Sequence, residues 1–254
     1  MENRLKVLAD TYETADFLIG DPSWFMHQVS GAYNQECMAF LAAALSYGSR
    51  KQFLPKIQYF LDCSRGETDA WVREGRFIKD IPDDGHCYYR LYTNHNMHIF
   101  LSAYRNLLLE YGSLGQYVIK HVKDDCSLNP KNSDVIMTCL EAVKSITEYF
   151  QPYETGIIPK NTDSSCKRLC MFLRWMVRDN SPVDLGLWRF IDKKTLIIPL
   201  DTHVLQEAAN LGLVNCRSAS MRTAVQLTER LSVFFPDDPV RGDFALFGLG
   251  VNRQ

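Results

Sequence analysis

Apolar residues recur at three- and four-residue intervals along almost the whole chain, the period of amphipathic helices, and no run alternates long enough to build a sheet. Leu5, Leu8, Ala9 and Tyr12 are spaced for one face of a first helix. Asn34 suits the cap of a second, running Glu36 to Tyr47 and ended by Gly48. Further helices are expected at about 51 to 62, 69 to 76 and 95 to 111, the last ending at Gly112. Another spans 134 to 150, with Ser133 as cap and Val135, Ile136, Leu140, Val143, Ile146 and Phe150 on its apolar face. Gln151 to Asn161, with two prolines and a glycine, reads as a connection. A helix at about 163 to 178, capped by Thr162 or Asp163, follows it. The last three lie at about 202 to 211, 219 to 234 and 239 to 248. Thr195 to Leu200 is short and apolar enough to be a strand. The pattern predicts an all-α protein, and the absence of a fixed-period repeat disfavours a solenoid.

Composition narrows the class. The chain has 254 residues, 46% of them hydrophobic and 23% charged, with 14 Gly and 10 Pro, which excludes collagen-like, low-complexity and disordered readings. Lys plus Arg is 28 and Asp plus Glu 30, a net charge of −2, so no chain-wide positive field holds polyanions and any nucleic-acid contact has to be local. The eight cysteines are scattered and form no C-x-x-C, which reads as reduced and mostly structural. No stretch approaches 18 apolar residues and no apolar signal core follows Met1, so the expectation is a cytoplasmic protein without a membrane partner.

Two segments carry candidate chemistry. In Ser165 to Arg178, Leu169, Leu173, Met176 and Val177 form a buried stripe, while Lys167, Met171, Arg174 and Arg178 fall on another side. Between Lys160 and Arg178 five cations, Lys160, Lys167, Arg168, Arg174 and Arg178, face Asp163 alone. Such a cluster either grips phosphate or simply solvates the outer face of a helix. Downstream, Leu196-Ile-Ile-Pro-Leu-Asp-Thr-His-Val204 delivers Asp201 to a helix start, where a carboxylate serves as an N-cap and is favoured as an anion.

Pro199-Leu-Asp-Thr-His-Val204, with Leu211-Gly-Leu213 after it, resembles the Pro-Val-Asp-Thr-His-Val and Leu-Gly-Leu signature of the helix-hairpin-helix DNA glycosylases. In that superfamily the aspartate is catalytic, and bifunctional members carry a nucleophilic lysine at the head of the second hairpin helix. Lys167 opens such a helix, 34 residues before Asp201. Common members have a shorter separation and a Leu-Pro-Gly-Val-Gly hairpin; here Asn161-Thr-Asp-Ser-Ser-Cys166 stands instead, without the glycines that let backbone N–H groups approach a phosphate. The longer spacing is more similar to the archaeal 8-oxoguanine glycosylase branch. Ala43-Ala-Leu-Ser-Tyr-Gly48, Lys167 to Arg178, Val183-Asp-Leu-Gly-Leu-Trp188 and Asp243-Phe-Ala-Leu-Phe-Gly-Leu-Gly250 extend the likeness, over nearly the whole chain, to a bacterial family of about this length assigned to the same superfamily.

The resemblance implies an all-α, two-lobed fold over residues 1–254, with hairpin and catalytic segment at about 155 to 211. The N-terminal and last helices would assemble one lobe and the intervening helices the other, with DNA across the cleft. It also implies base-excision repair of an oxidised purine, 8-oxoguanine foremost, with strand cleavage by β-elimination, by a monomer whose partner is DNA containing a damaged base. Lys167 would form the Schiff base, Asp201 would act as electrostatic and acid/base residue, and Arg168, Arg174 and Arg178 would make phosphate or structural contacts. Asp243 and Phe247, four residues apart on the last helix, would line the base pocket, although Phe247 equally suits core packing and Trp24, Trp71, Trp175 and Trp188 are further stacking candidates.

The chemistry makes demands on the pair. A free lysine with pKa about 10.4 is neutral about once in several thousand molecules at pH 7, so the site has to favour the neutral amine, as burial at a helix start and the charges of Arg168 and Arg174 would. A permanent tight salt bridge to Asp201 in the ligand-free protein would count against attack. No cofactor is expected. His95 and His98, one turn apart near His86 and Cys87, lack the spacing of zinc modules, and Cys166 lacks an evident base. No cysteine quartet near the C-terminus suits an iron–sulfur cluster, and no glycine-rich nucleotide motif is present. The alternatives are a non-catalytic helix-hairpin-helix DNA-binding protein and a monofunctional glycosylase in which water attacks.

Overall fold

The computed structural model describes residues 1–126, 137–216 and 218–251. Among them the helices are α1 (Glu2–Tyr12), α2 (Ala32–Leu45), α3 (Arg50–Ser64), α4 (Thr68–Arg73), α5 (Phe77–Asp80), α6 (Asn94–Tyr111), α7 (Leu114–Cys126), α8 (Cys139–Phe150), α9 (Lys167–Val177), α10 (Thr202–Asn210), α11 (Met221–Ser232) and α12 (Gly242–Val251). One antiparallel pair, β1 (Cys87–Tyr89) and β2 (Tyr92–Thr93), is the only named sheet among the described residues. The protein is mostly helical, and no described helix is long and apolar enough to cross a membrane.

The chain divides into two compact units, Met1–Ile19 with Ile136–Val143 and Thr162–Gln254, and Gly20–Val135 with Lys144–Asn161. The first unit is built on α1, α9, α10, α11 and α12. Helix α1 lies along α12 so closely that a Cβ on Gly248 would sit 2.3 Å from the Tyr12 ring, and α11 approaches the start of α12, where a Cβ on Gly242 would meet the Leu231 side chain at 2.7 Å. After α9 the chain doubles back: Leu185 N–H donates to the Trp175 carbonyl and Trp188 N–H to that of Met176, each at 2.7 Å. Gly186, at φ +62, makes that turn, and a side chain there would press on the Asp179 Cα and the Arg178 carbonyl.

The second unit is organised around α2, buried continuously from Glu36 to Leu45, the mark of a helix that is apolar on all sides. Phe40 packs on Phe100, Tyr104 and Phe150 with ring centroids 4.8 to 5.9 Å apart. The buried Glu36 carboxylate accepts N–H bonds from Leu114 and Gly115, where it satisfies the start of α7.

Several boundaries differ from the sequence pattern for identifiable reasons. Helix α2 begins at Ala32, so Asn34 lies within it; its carboxamide donates to the Ser30 carbonyl and accepts from Asp69 N–H, supporting α4 instead. Helix α9 begins at Lys167 rather than near 163. The groups that would have started it are taken elsewhere: Ser165 hydroxyl donates to the Leu200 carbonyl, Ser165 N–H to that of Ala219, and the Asp163 carbonyl accepts from Met221 N–H. Ser133, Val135 and Ile136 lie outside the described residues. The described helix α8 instead opens with a Thr138–Glu141 capping box: Thr138 Oγ1 accepts Glu141 N–H and the Glu141 carboxylate accepts Thr138 N–H. Thr195 to Leu200 forms no strand. Helix α7 and the hairpin were not foreseen. The signal for α7 is present in Ser113, which accepts from Gln116 N–H; the hairpin turn carries no Gly or Asn, and Arg90 takes φ 52.

Candidate active site

The Lys167–Asp201 site is assembled at two helix starts within the first unit. Asp201 caps α10, its Oδ1 accepting Val204 N–H at 2.8 Å, and its Oδ2 accepts from Lys167 Nζ at 2.8 Å. Both side chains are partly open to solvent, at 38% for Lys167 and 29% for Asp201. Burial works to raise the Asp201 pKa, but the charge and hydrogen bond of Lys167 and the Val204 N–H outweigh it and hold the carboxyl below its usual range. Asp201 therefore fills both the capping role and the pairing role that the sequence left open. The pairing takes the form that counts against immediate attack: a direct ion pair, which has to open before the amine can act.

Two further cations of α9 are turned into the interior. Arg174 and Arg178 are buried, with side chains 4% and 2% exposed. Arg174 Nη1 lies 2.5 Å from Asp243 Oδ2 and its Nε 3.3 Å from Asp184 Oδ1. Arg178 pairs with Asp184, with Glu13 at 2.5 Å and with Asp238 at 2.9 Å. Both guanidiniums also lie over the Phe244 ring, at 4.7 and 5.3 Å. Both guanidiniums are thus engaged by carboxylates, Glu13 after α1, Asp184, Asp238 and Asp243, which is the arrangement of a structural contact. Arg168 is half-buried and Lys160 pairs with Glu154. Glu13, Asp184, Asp238 and Arg241 were not singled out from the sequence, although Asp184 sits in the quoted Val183 to Trp188 stretch.

Asp243 reaches the same charge chain, its Oδ2 held by Arg174 Nη1 at 2.5 Å. Phe247 is half-buried and lies edge-on to Phe17 and Tyr12, with centroids 5.0 and 5.8 Å away, the packing alternative for that residue. Trp71, Trp175 and Trp188 are core residues, and Trp24 is half-buried. Burial pushes the Cys166 thiol up, which suits an inert structural cysteine. His98 hydrogen-bonds the Ile81 carbonyl and His95 meets Asp83 at 2.7 Å; no group of three or more His, Cys, Asp or Glu among the described residues is arranged to hold a metal ion.

A mostly helical protein with a half-open Lys–Asp pair at two helix starts, backed by a buried arginine–carboxylate chain, is the class that fold and site define. Residues 21–252 match the family DUF2400, described as a protein of unknown function, and the chain belongs to that family. No curated protein and no solved structure matches it.

Proposed function

We propose that the protein is a DNA glycosylase with β-lyase activity that excises an oxidised purine, 8-oxoguanine first among them, in base-excision repair. The observation that supports this most directly is that Lys167 and Asp201 stand together at the starts of α9 and α10 with both side chains reaching solvent. Entry of a nucleotide would open the pair. The amine, once neutral, attacks C1′ as the bond to the base breaks, and a Schiff base follows, while the Asp201 anion stabilises positive charge on the sugar.

The ion pair itself favours a second reading, a monofunctional glycosylase in which water attacks and Lys167 positions Asp201. Lesion-bearing duplexes and single strands assayed separately for base release and nicking, with borohydride trapping, decide between them. Trapping by the native chain and its loss in Lys167→Gln supports the lyase. Free base without nicking selects the second reading. Salt-sensitive binding with no base released from any lesion overturns both.

A further inference from the structure

The hairpin of the second unit turns on an exposed arginine that its surroundings hold in place. Arg90 occupies the β1–β2 turn at φ 52, a conformation that glycine or asparagine adopts with less strain. Its guanidinium lies over the Tyr47 ring, 4.7 Å from the centroid. Gly48 leaves room for it, since a Cβ there would stand 2.4 Å from Arg90 Nη1. The Tyr89 hydroxyl donates to the Tyr47 carbonyl, which fastens the turn to the junction of α2 and α3, and Cys87 Sγ donates to the Arg90 carbonyl at 3.3 Å. A ring beneath a guanidinium fixes its plane and leaves the in-plane N–H donors pointing outward.

Two lysines flank this arginine. Lys51 follows Gly48 by three residues, and Lys56 lies 4.8 Å from the ring centroid of Tyr88, two residues before Arg90. Arg50 is taken by Asp21 at 3.2 Å, but among the described residues none of Arg90, Lys51 and Lys56 is ion-paired with a carboxylate. Leu91, next in the turn, is 79% exposed, and Tyr47 is 41% exposed. A polyanion that also carries apolar faces complements both features, with phosphates for the cations and bases for the leucine. Bases present their faces where a strand is unpaired, because stacking in a duplex covers them.

We propose that the β1–β2 turn and the start of α3 hold single-stranded DNA, with Arg90, Lys51 and Lys56 on backbone phosphates and Leu91 against a base face. This goes beyond the glycosylase reading, which supplies only the choice of DNA over RNA.

The test is fluorescence anisotropy of the full chain with a short labelled single strand, its duplex and the RNA of the same sequence, over a series of salt concentrations. Single-stranded DNA should bind more tightly than either of the others. Arg90→Gly relaxes the turn and so keeps the fold. It should weaken binding about tenfold and lower the log–log salt slope by about 0.7, the value for one phosphate on a single strand. Leu91→Ser should leave the slope unchanged and reduce the preference for single strand over duplex. Lys120→Ala removes another exposed cation of this unit, over Tyr111, and should leave binding nearly unchanged. Equal losses in Lys120→Ala and Arg90→Gly would reduce the interaction to overall charge and overturn the assignment. So would no binding, tighter binding of duplex or RNA, or an affinity unmoved in Arg90→Gly. Lesion processing with single-strand binding unmoved in Arg90→Gly sinks the surface alone. Binding that depends on Arg90, with no lesion processed, sinks the enzyme reading alone.

Discussion

Arg178 and Glu13 form a buried ion pair at 2.5 Å between the C-terminal ends of α9 and α1, although 165 residues separate them in the chain. Neither helix presents its end to solvent alone: Glu13 also accepts from Arg241 at 2.8 Å, and Arg178 holds Asp184 and Asp238. The helix that opens the sequence is thereby fastened to the scaffold beneath the Lys167 site.

Arg178→Met should be severely destabilising, because it strands several carboxylates in a low-dielectric interior. Removing one partner of a buried pair costs about 3–5 kcal/mol. Lys193→Ala, which breaks the more exposed pair with Asp179, should cost less than about 1 kcal/mol. Urea unfolding of both variants checks the contrast, and similar midpoints would sink it.

Gly248→Ala places a methyl where the Tyr12 ring now lies. Such overpacking costs about 1–3 kcal/mol. Combining it with Tyr12→Ala should recover part of that loss, so the double-mutant cycle should show coupling on the order of 1 kcal/mol. Additive losses would show that α1 and α12 do not meet at this point.

The cap and charge roles of Asp201 can be separated. Asp201→Ala removes both and should lower stability by about 1 kcal/mol from the cap alone. Asp201→Asn keeps a capping oxygen and should lose little stability, yet base release should drop roughly 10²-fold in either variant. Chemical unfolding and single-turnover base release read the two effects independently. Full activity in Asp201→Asn would remove the carboxylate from the chemistry.

Acid should loosen α1. Burial works to raise the Glu13 pKa, but Arg178 and Arg241 outweigh it and hold the group below the ordinary glutamate value of about 4.3. With the folded pKa depressed, the contribution is complete above the unfolded value and is lost as pH falls through the folded one. Stability between pH 7 and pH 3 should therefore decline less steeply in Glu13→Gln than in the native chain. Equal slopes, measured by urea titration, would rule the linkage out.

Helical periodicity, Gly112 as a stop and the Asp201 cap were legible along the chain because each depends on residues within a turn or two of one another. So was the candidate pair, through the local signatures around Lys167 and Asp201. The start of α9 was misplaced because Ser165 and Asp163 satisfy their hydrogen bonds with Leu200, Ala219 and Met221, partners that no local rule supplies.

The amino-acid order determined which faces could be apolar, where helices could begin and end, and that a lysine and an aspartate would each stand near a helix start. Only the tertiary structure decided what those charges meet. The stripe Lys167, Arg174 and Arg178 reads as one surface, yet packing covers two of its cations with carboxylates from distant segments and leaves the third at the edge. Charge interactions depend on distance and on exclusion of water, and both are properties of the folded arrangement rather than of spacing along the backbone.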